Sequence, residues 1–148
     1  MIRLGERICG RESFTAKALG ILPSYSTYKK TYALLQQSRW WSREELLAYQ
    51  AAALSRLLDH AYTNVPYYRR VFDDRGLVPG DIQTPADLRL LPFLTREDLQ
   101  THLPDLKARN YPDGAFEYVT TGGSTGIPVG FYYERGASRA REWAFMKT

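Results

Sequence analysis

Cysteine is nearly absent from this sequence: Cys9 stands alone among 148 residues, and His60 and His102 are the only histidines. A single cysteine excludes an intrachain disulfide and a multi-cysteine metal site, and two histidines leave few ligands for any other metal centre. Cys9 also lacks an adjacent histidine or a basic helix start, so it reads as an inert or merely exposed thiol, not a nucleophile. His60, beside Asp59 and near Tyr62, reads as a partly buried helix histidine hydrogen-bonded locally, and His102 has no partner in sequence. No charge sign dominates: 20 Lys+Arg against 16 Asp+Glu give a net charge of +4, with acids interspersed among the bases. That describes a solvated mixed surface, not a polyanion-binding face, and argues against a nucleic-acid partner. No apolar run is long enough for a signal h-region in the first 25 residues, or for a membrane span further on. The expectation is a cytoplasmic protein, neither exported nor integral to a membrane.

What is present suffices for a globular domain, since 44% of residues are hydrophobic and 14% aromatic. Residues 1–28 have no sustained period and read as an amino-terminal arm with one short helix around Phe14 to Leu19. Residues 29–112 read as a helical region. Lys29 to Gln37 is its first helix. The second is announced by Ser42-Arg43-Glu44-Glu45, a capping box in which hydroxyl and carboxylate each satisfy an unpaired backbone N–H. Leu47, Ala51, Leu54, Leu58, Ala61 and Val65 then recur at helical steps as one apolar stripe facing a core. Pro66 ends that helix and suits the first turn of the next, Tyr67 to Arg75, which Gly76 stops. Two shorter helices follow, each with a threonine cap ahead of an acid: Thr84 with Asp87, and Thr95 with Asp98. Tyr25, Tyr28, Lys29, Lys30, Tyr32, Arg39, Trp40 and Trp41 interleave aromatic and basic residues. Helix-packing aromatics with snorkelling cations explain them more cheaply than a membrane-surface or single-strand nucleic-acid site.

Residues 113–148 change character. Phe116, Tyr118 and Thr120 alternate, as do Val129, Phe131 and Tyr133, and Gly136 to Lys147 looks like the opening of a helix. Between the two strands lies a window, residues 120–126, holding three of the chain's 11 glycines with Thr120, Thr121, Ser124 and Thr125. A hairpin turn needs one or two glycines and no hydroxyl cluster. Gly lets the backbone approach a ligand and point successive N–H groups inward, and Ser and Thr add neutral donors, so the window has the parts of a phosphate loop. It lacks the lysine and following helix of a Walker loop, and the spacing of the dinucleotide fingerprint. A flexible hairpin loop with no ligand is the competing reading.

Thr121-Gly122-Gly123-Ser124-Thr125-Gly126-Ile127-Pro128 resembles the phosphate-binding loop of the adenylate-forming enzymes, with Gly122 where serine is usual and Val129 where many members carry lysine. Two further segments, Leu58 to Arg69 and Leu91 to Leu99, resemble the amino-terminal region of the phenylacetate-coenzyme A ligase-like branch, which includes ligase-like proteins of capsular polysaccharide biosynthesis. The resemblance covers residues 29–148, with its three segments in the family's order. It implies an α/β fold in which an amino-terminal helical array is followed by the first strand-loop-strand of the adenylate-forming core. It also implies ATP, with Mg, as the activating nucleotide, a carboxylic acid substrate, and coenzyme A as a possible acyl acceptor. Thr121, Gly122, Gly123, Ser124, Thr125 and Gly126 would be the cofactor-binding residues. The family's adenine pocket, ribose-binding acid and catalytic lysine lie beyond the segment this chain resembles. The expectation is therefore an amino-terminal piece, inactive alone, whose partner is the missing carboxy-terminal part. The alternative is a non-catalytic helical interaction module, at a membrane surface or within a polysaccharide-assembly complex, whose loop is vestigial.

Overall fold

The computed structural model describes residues 22–112, 114–122 and 128–148. Cys9 and the short helix expected at Phe14 to Leu19 lie outside the described residues. The elements in order are helices α1 (Leu22–Ser38), α2 (Arg43–Asn64) and α3 (Pro66–Asp74), two 3-10 turns (Pro79–Asp81 and Pro85–Leu90), α4 (Arg96–Thr101), a 3-10 turn at Leu103–Leu106, strands β1 (Phe116–Thr120) and β2 (Gly130–Glu134), and α5 (Ala137–Met146). The architecture is mixed α and β: helices first, then a two-stranded antiparallel sheet. The described residues fall into two compact units, 22–40 with 134–148, and 41–133. Among the described residues no helix is long and apolar enough to cross a membrane.

In the first unit α1 packs along α5. The α5 face that permits this is small: Ala137, Ala140 and Ala144 are buried, while Trp143, Phe145 and Met146 on the other side are exposed. Gly136 caps α5 at φ 75°, in the left-handed region, and a Cβ there would collide with the Ser24 side chain. α1 begins at Leu22, ahead of the start expected at Lys29, because Pro23 is tolerated in a first helical turn and costs no bond there. Along α1 the tyrosines stack in series, Tyr25 on Tyr28 at 6.4 Å and Tyr28 on Tyr32 at 5.9 Å, with the Lys29 ammonium 5.0 Å from the Tyr25 ring. Interleaved aromatics and cations thus serve one another along a helix surface.

The second unit is organised around Phe72, which is fully buried against Leu58 and Ile82, with Leu54, Tyr62, Leu77 and Leu91 packed round them. The capping box of α2 forms as expected: Glu45 N donates to Ser42 Oγ at 3.2 Å, and Ser42 N donates to Glu45 Oε2 at 2.7 Å. The apolar stripe of α2, however, is divided. Leu54, Leu58, Tyr62 and Val65 engage the core, whereas Leu47 is 50% exposed and every residue from Ser42 to Gln50 is exposed. Length accounts for this, because 22 residues span about 33 Å and the nine of α3 only about 13 Å. At the junction Tyr62 meets Phe72 edge-on at 5.5 Å, its hydroxyl donates to Asp73, and the Arg69 guanidinium lies 4.1 Å from the Tyr62 ring while Arg69 Nε donates to Asp73 at 2.9 Å.

The two threonine-acid pairs diverge. At Thr95 the box is complete: Asp98 N donates to Thr95 Oγ1 at 3.1 Å, and the next amide, of Leu99, donates to the Thr95 carbonyl, which starts an α-helix. At Thr84 the Asp87 amide donates instead to the Thr84 carbonyl, an i to i+3 bond, and the hydroxyl donates to the Asp87 carboxylate. The segment is therefore 3-10 and not the α-helix expected, cut short by Pro92 before it could rewind. Hydrogen bonds from the threonine hydroxyls, then from backbone amides, hold both Asp87 and Asp98 below the usual carboxylate range.

Two outcomes follow from this packing. Phe72→Ala should lower stability by about 3 to 5 kcal/mol in urea unfolding, because its site has no solvent-facing side to collapse from. The lowered carboxyls stabilise the folded state above the ordinary carboxylate pKa and lose that contribution as pH falls through their folded-state values. Asp98→Asn should therefore make the decline of Tm below about pH 4 shallower than in the parent chain.

Candidate functional site

β1 and β2 carry aromatic residues on both faces. Phe116 and Tyr118 on β1 meet Tyr132 on β2 at 6.2 and 5.7 Å, and Phe131 meets Tyr133 at 5.0 Å. Tyr132 escaped the sequence reading, which followed only alternate positions. The Tyr118 ring lies over Gly130, where a Cβ would collide with it, so the glycine admits a cross-strand aromatic cover. Tyr118 and Tyr133 remain exposed, and Phe116 and Phe131 half-buried.

At the end of this ladder the strands are joined by a reciprocal pair of bonds. Thr121 N donates to the Val129 carbonyl at 2.9 Å, and Val129 N donates to Thr121 Oγ1 at 3.1 Å. Thr121 thus closes the mouth of the glycine-rich loop with both its backbone and its side chain. Of the six candidate ligand-binding residues, Thr121 and Gly122 are described and exposed; Gly123, Ser124, Thr125 and Gly126 lie outside the described residues. Val129, at the position where many adenylate-forming enzymes carry lysine, is 8% exposed. A Cβ at Gly122 would meet nothing within 4 Å, so the fold itself has room for the serine usual there.

The histidines take separate places. The His60 ring stands edge-on to Tyr111 at 6.1 Å, and its buried Nε2 has no hydrogen-bond partner among the described residues, in place of the local bond expected. The His60 carbonyl accepts from Asn64 Nδ2, so helix polarity is satisfied even though the ring is not. His102 lies 5.5 Å from Tyr67, whose hydroxyl is pushed up in pKa, chiefly by burial and then by Asp98. Among the described residues no group of three His, Cys, Asp or Glu could hold a metal ion.

The chain is 41% identical over 75 residues to the phenylacetate-coenzyme A ligase of Aromatoleum evansii, a stretch that is 51% of this chain and 15% of that enzyme. It is 46% identical over 63 residues to the phenylacetate-coenzyme A ligase of Escherichia coli (strain K12), covering 43% of this chain and 14% of that enzyme. The chain is phenylacetate-coenzyme A ligase-like. A longer match to this ligase family, 36% identity over 105 residues with the enzyme of Pseudomonas putida, takes in 66% of the chain and 22% of that relative. The ligase-like chain thus spans less than a quarter of the length of these curated relatives. No protein-family model matches it.

Thr121, expected among the ligand-binding residues, has its hydroxyl engaged in closing the loop, an eight-residue contact that local pattern does not signal. In Thr121→Val the lost acceptor should cost about 1 kcal/mol, making the Val129 amide exchange with solvent about fivefold faster, and Thr121→Ser should restore the protection. Gly122→Ser should leave the unfolding free energy in urea unchanged within the roughly 0.5 kcal/mol expected of an exposed substitution.

Proposed function

We propose that this chain supplies the amino-terminal part of an ATP-dependent carboxylate-activating ligase. The observation that carries the reading is the strand-loop-strand whose mouth Thr121 and Val129 hold shut around a glycine- and hydroxyl-rich segment, in a chain similar to phenylacetate-coenzyme A ligases. In the proposed chemistry a substrate carboxylate oxygen attacks the α-phosphorus of ATP, and the bond to the β-phosphate oxygen breaks, giving an acyl-adenylate and pyrophosphate. A thiol, that of coenzyme A, then attacks the acyl carbon, AMP leaves, and the thiol proton is released.

The loop's part is the departing pyrophosphate. Backbone N–H groups from Gly122 to Gly126, with the Ser124 and Thr125 hydroxyls, donate to its β- and γ-phosphate oxygens and stabilise charge that grows as the bond breaks. A Mg²⁺ ion would come with the triphosphate, whose oxygens and bound waters supply most of its ligands. The matched stretch is less than a quarter of the relatives' length, and in this reading the rest of the nucleotide and acid site comes from segments outside that stretch. The 148-residue chain alone should accordingly give no carboxylate-dependent pyrophosphate exchange.

The decisive experiment joins or mixes the chain with a complementing carboxy-terminal part of a ligase and measures adenylate formation. Ser124→Ala with Thr125→Ala should slow it about a hundredfold or more, the scale of losing 2 to 4 kcal/mol of preorganised donors, with the fold intact. Unchanged rates would mean that the segment is a turn without a ligand.

A further inference from the structure

α2 carries a second apolar line beside the one that meets the core. Leu46, Gln50, Ala53 and Leu57 recur at four-, three- and four-residue steps, so they share one side of the helix, about 100° round from the line of Leu47, Leu54 and Leu58. Leu46 is 39% and Leu57 64% exposed, with Ala53 half-buried between them. Glu45, Tyr49, Ala52 and Arg56 repeat the same steps one residue earlier and form the next line round, exposed throughout. The Glu45 carboxylate accepts from the Ser42 amide, but among the described residues neither Glu45 nor Arg56 makes an ion pair. The two lines have ends that complement each other when one copy is reversed: leucine closes both ends of the first, and an acid and a base close the second, eleven residues apart in each case.

We propose that this face of α2 binds a second copy of the chain, antiparallel, with Leu46 of each protomer against the partner's Leu57 and Glu45 of each beside the partner's Arg56. A two-fold axis across the helix makes every such contact twice, and it brings the charged line of one protomer alongside the charged line of the other. A parallel copy would leave acid and base about three turns apart. The antiparallel arrangement also lays the uncovered half of each helix, from Ser42 to Gln50, beside the core-bound half of the other, so the elements packed on the two helices stand at opposite ends. Ala52 and Ala53, at mid-length, let the backbones approach. The face is independent of the glycine-rich loop and does not rest on the ligase reading.

Sedimentation velocity of the intact 148-residue chain should show a monomer–dimer equilibrium with its midpoint between about 1 μM and 1 mM, the range of a small interface. Leu57→Glu, at a solvent-facing position that leaves the core untouched, should weaken it about tenfold or more, and so should Arg56→Glu, which sets acid beside acid. Glu45→Gln keeps the capping box and should weaken it about threefold, with a smaller response to added salt. Oxidation with diamide reads the register: in a Cys9→Ser background, a mixture of Leu46→Cys and Leu57→Cys chains should cross-link, and either chain alone should not, because like positions lie about 16 Å apart along the axis. The inference is overturned if the chain is monomeric at about 1 mM, if Leu57→Glu and Arg56→Glu leave dimerisation unchanged, or if either single-cysteine chain cross-links as readily as the mixture. It is overturned as well if the α2 amides gain exchange protection only when a complementing carboxy-terminal part of a ligase is added, which would make that part the occupant of the face.

Discussion

Pro66 has no N–H to donate and its ring crowds the residue before it, so α2 must stop at Asn64 and Val65 must be extended, at φ −111° and ψ 108°. From that one constraint most of the second unit follows. The break turns α3 back so that Phe72 can bury itself against Leu58 and Tyr62 can reach Asp73. It also frees the Asn64 carbonyl, at the helix end, to accept the Arg109 amide from a segment 45 residues on. The same proline, at the first position of α3, becomes a wall of a cleft beside Arg109 and Tyr111. A residue there able to continue the helix would remove the corner, the core contact and the cleft together.

Features governed by local chemistry were legible in the sequence. The Ser42 and Thr95 boxes, the proline break, the Gly76 stop at φ 63° and the two aromatic strands depend on residues within a few positions of each other. What was not legible depends on partners distant in sequence or on choices between near-equal local bonds. Thr84 and Thr95 carry the same acid three residues on, yet one amide selects a carbonyl and the other a hydroxyl. The exposed first half of α2 has the periodicity of a buried face, because periodicity records which residues share a side and not how far the neighbouring element extends. The fold-back after the Leu103–Leu106 turn was hidden for the same reason: Asp105 and Arg109 lie close together in sequence, but Arg70 and the Asn64 carbonyl that they meet come from elsewhere.

At the loop, the structure divides a cluster of hydroxyls that composition had pooled. Thr121 Oγ1 is occupied by the Val129 amide, so its first role is to hold the two strands in register where the glycines begin. That role has an electrostatic side. Val129 is buried and bonded to Thr121 through both its backbone groups, and a lysine there would have to carry its ammonium out of an apolar setting to reach any phosphate. Without that lysine, the loop's own contribution to phosphate recognition in the proposed reading comes from neutral donors. Neutral donors are strong toward developing charge only when they are already pointed at it, since turning them during the reaction would cost what their hydrogen bonds return. With a buried valine at that position, the proposed reading places more weight on how firmly the loop's mouth is held, and the paired bonds between Thr121 and Val129 supply such a hold.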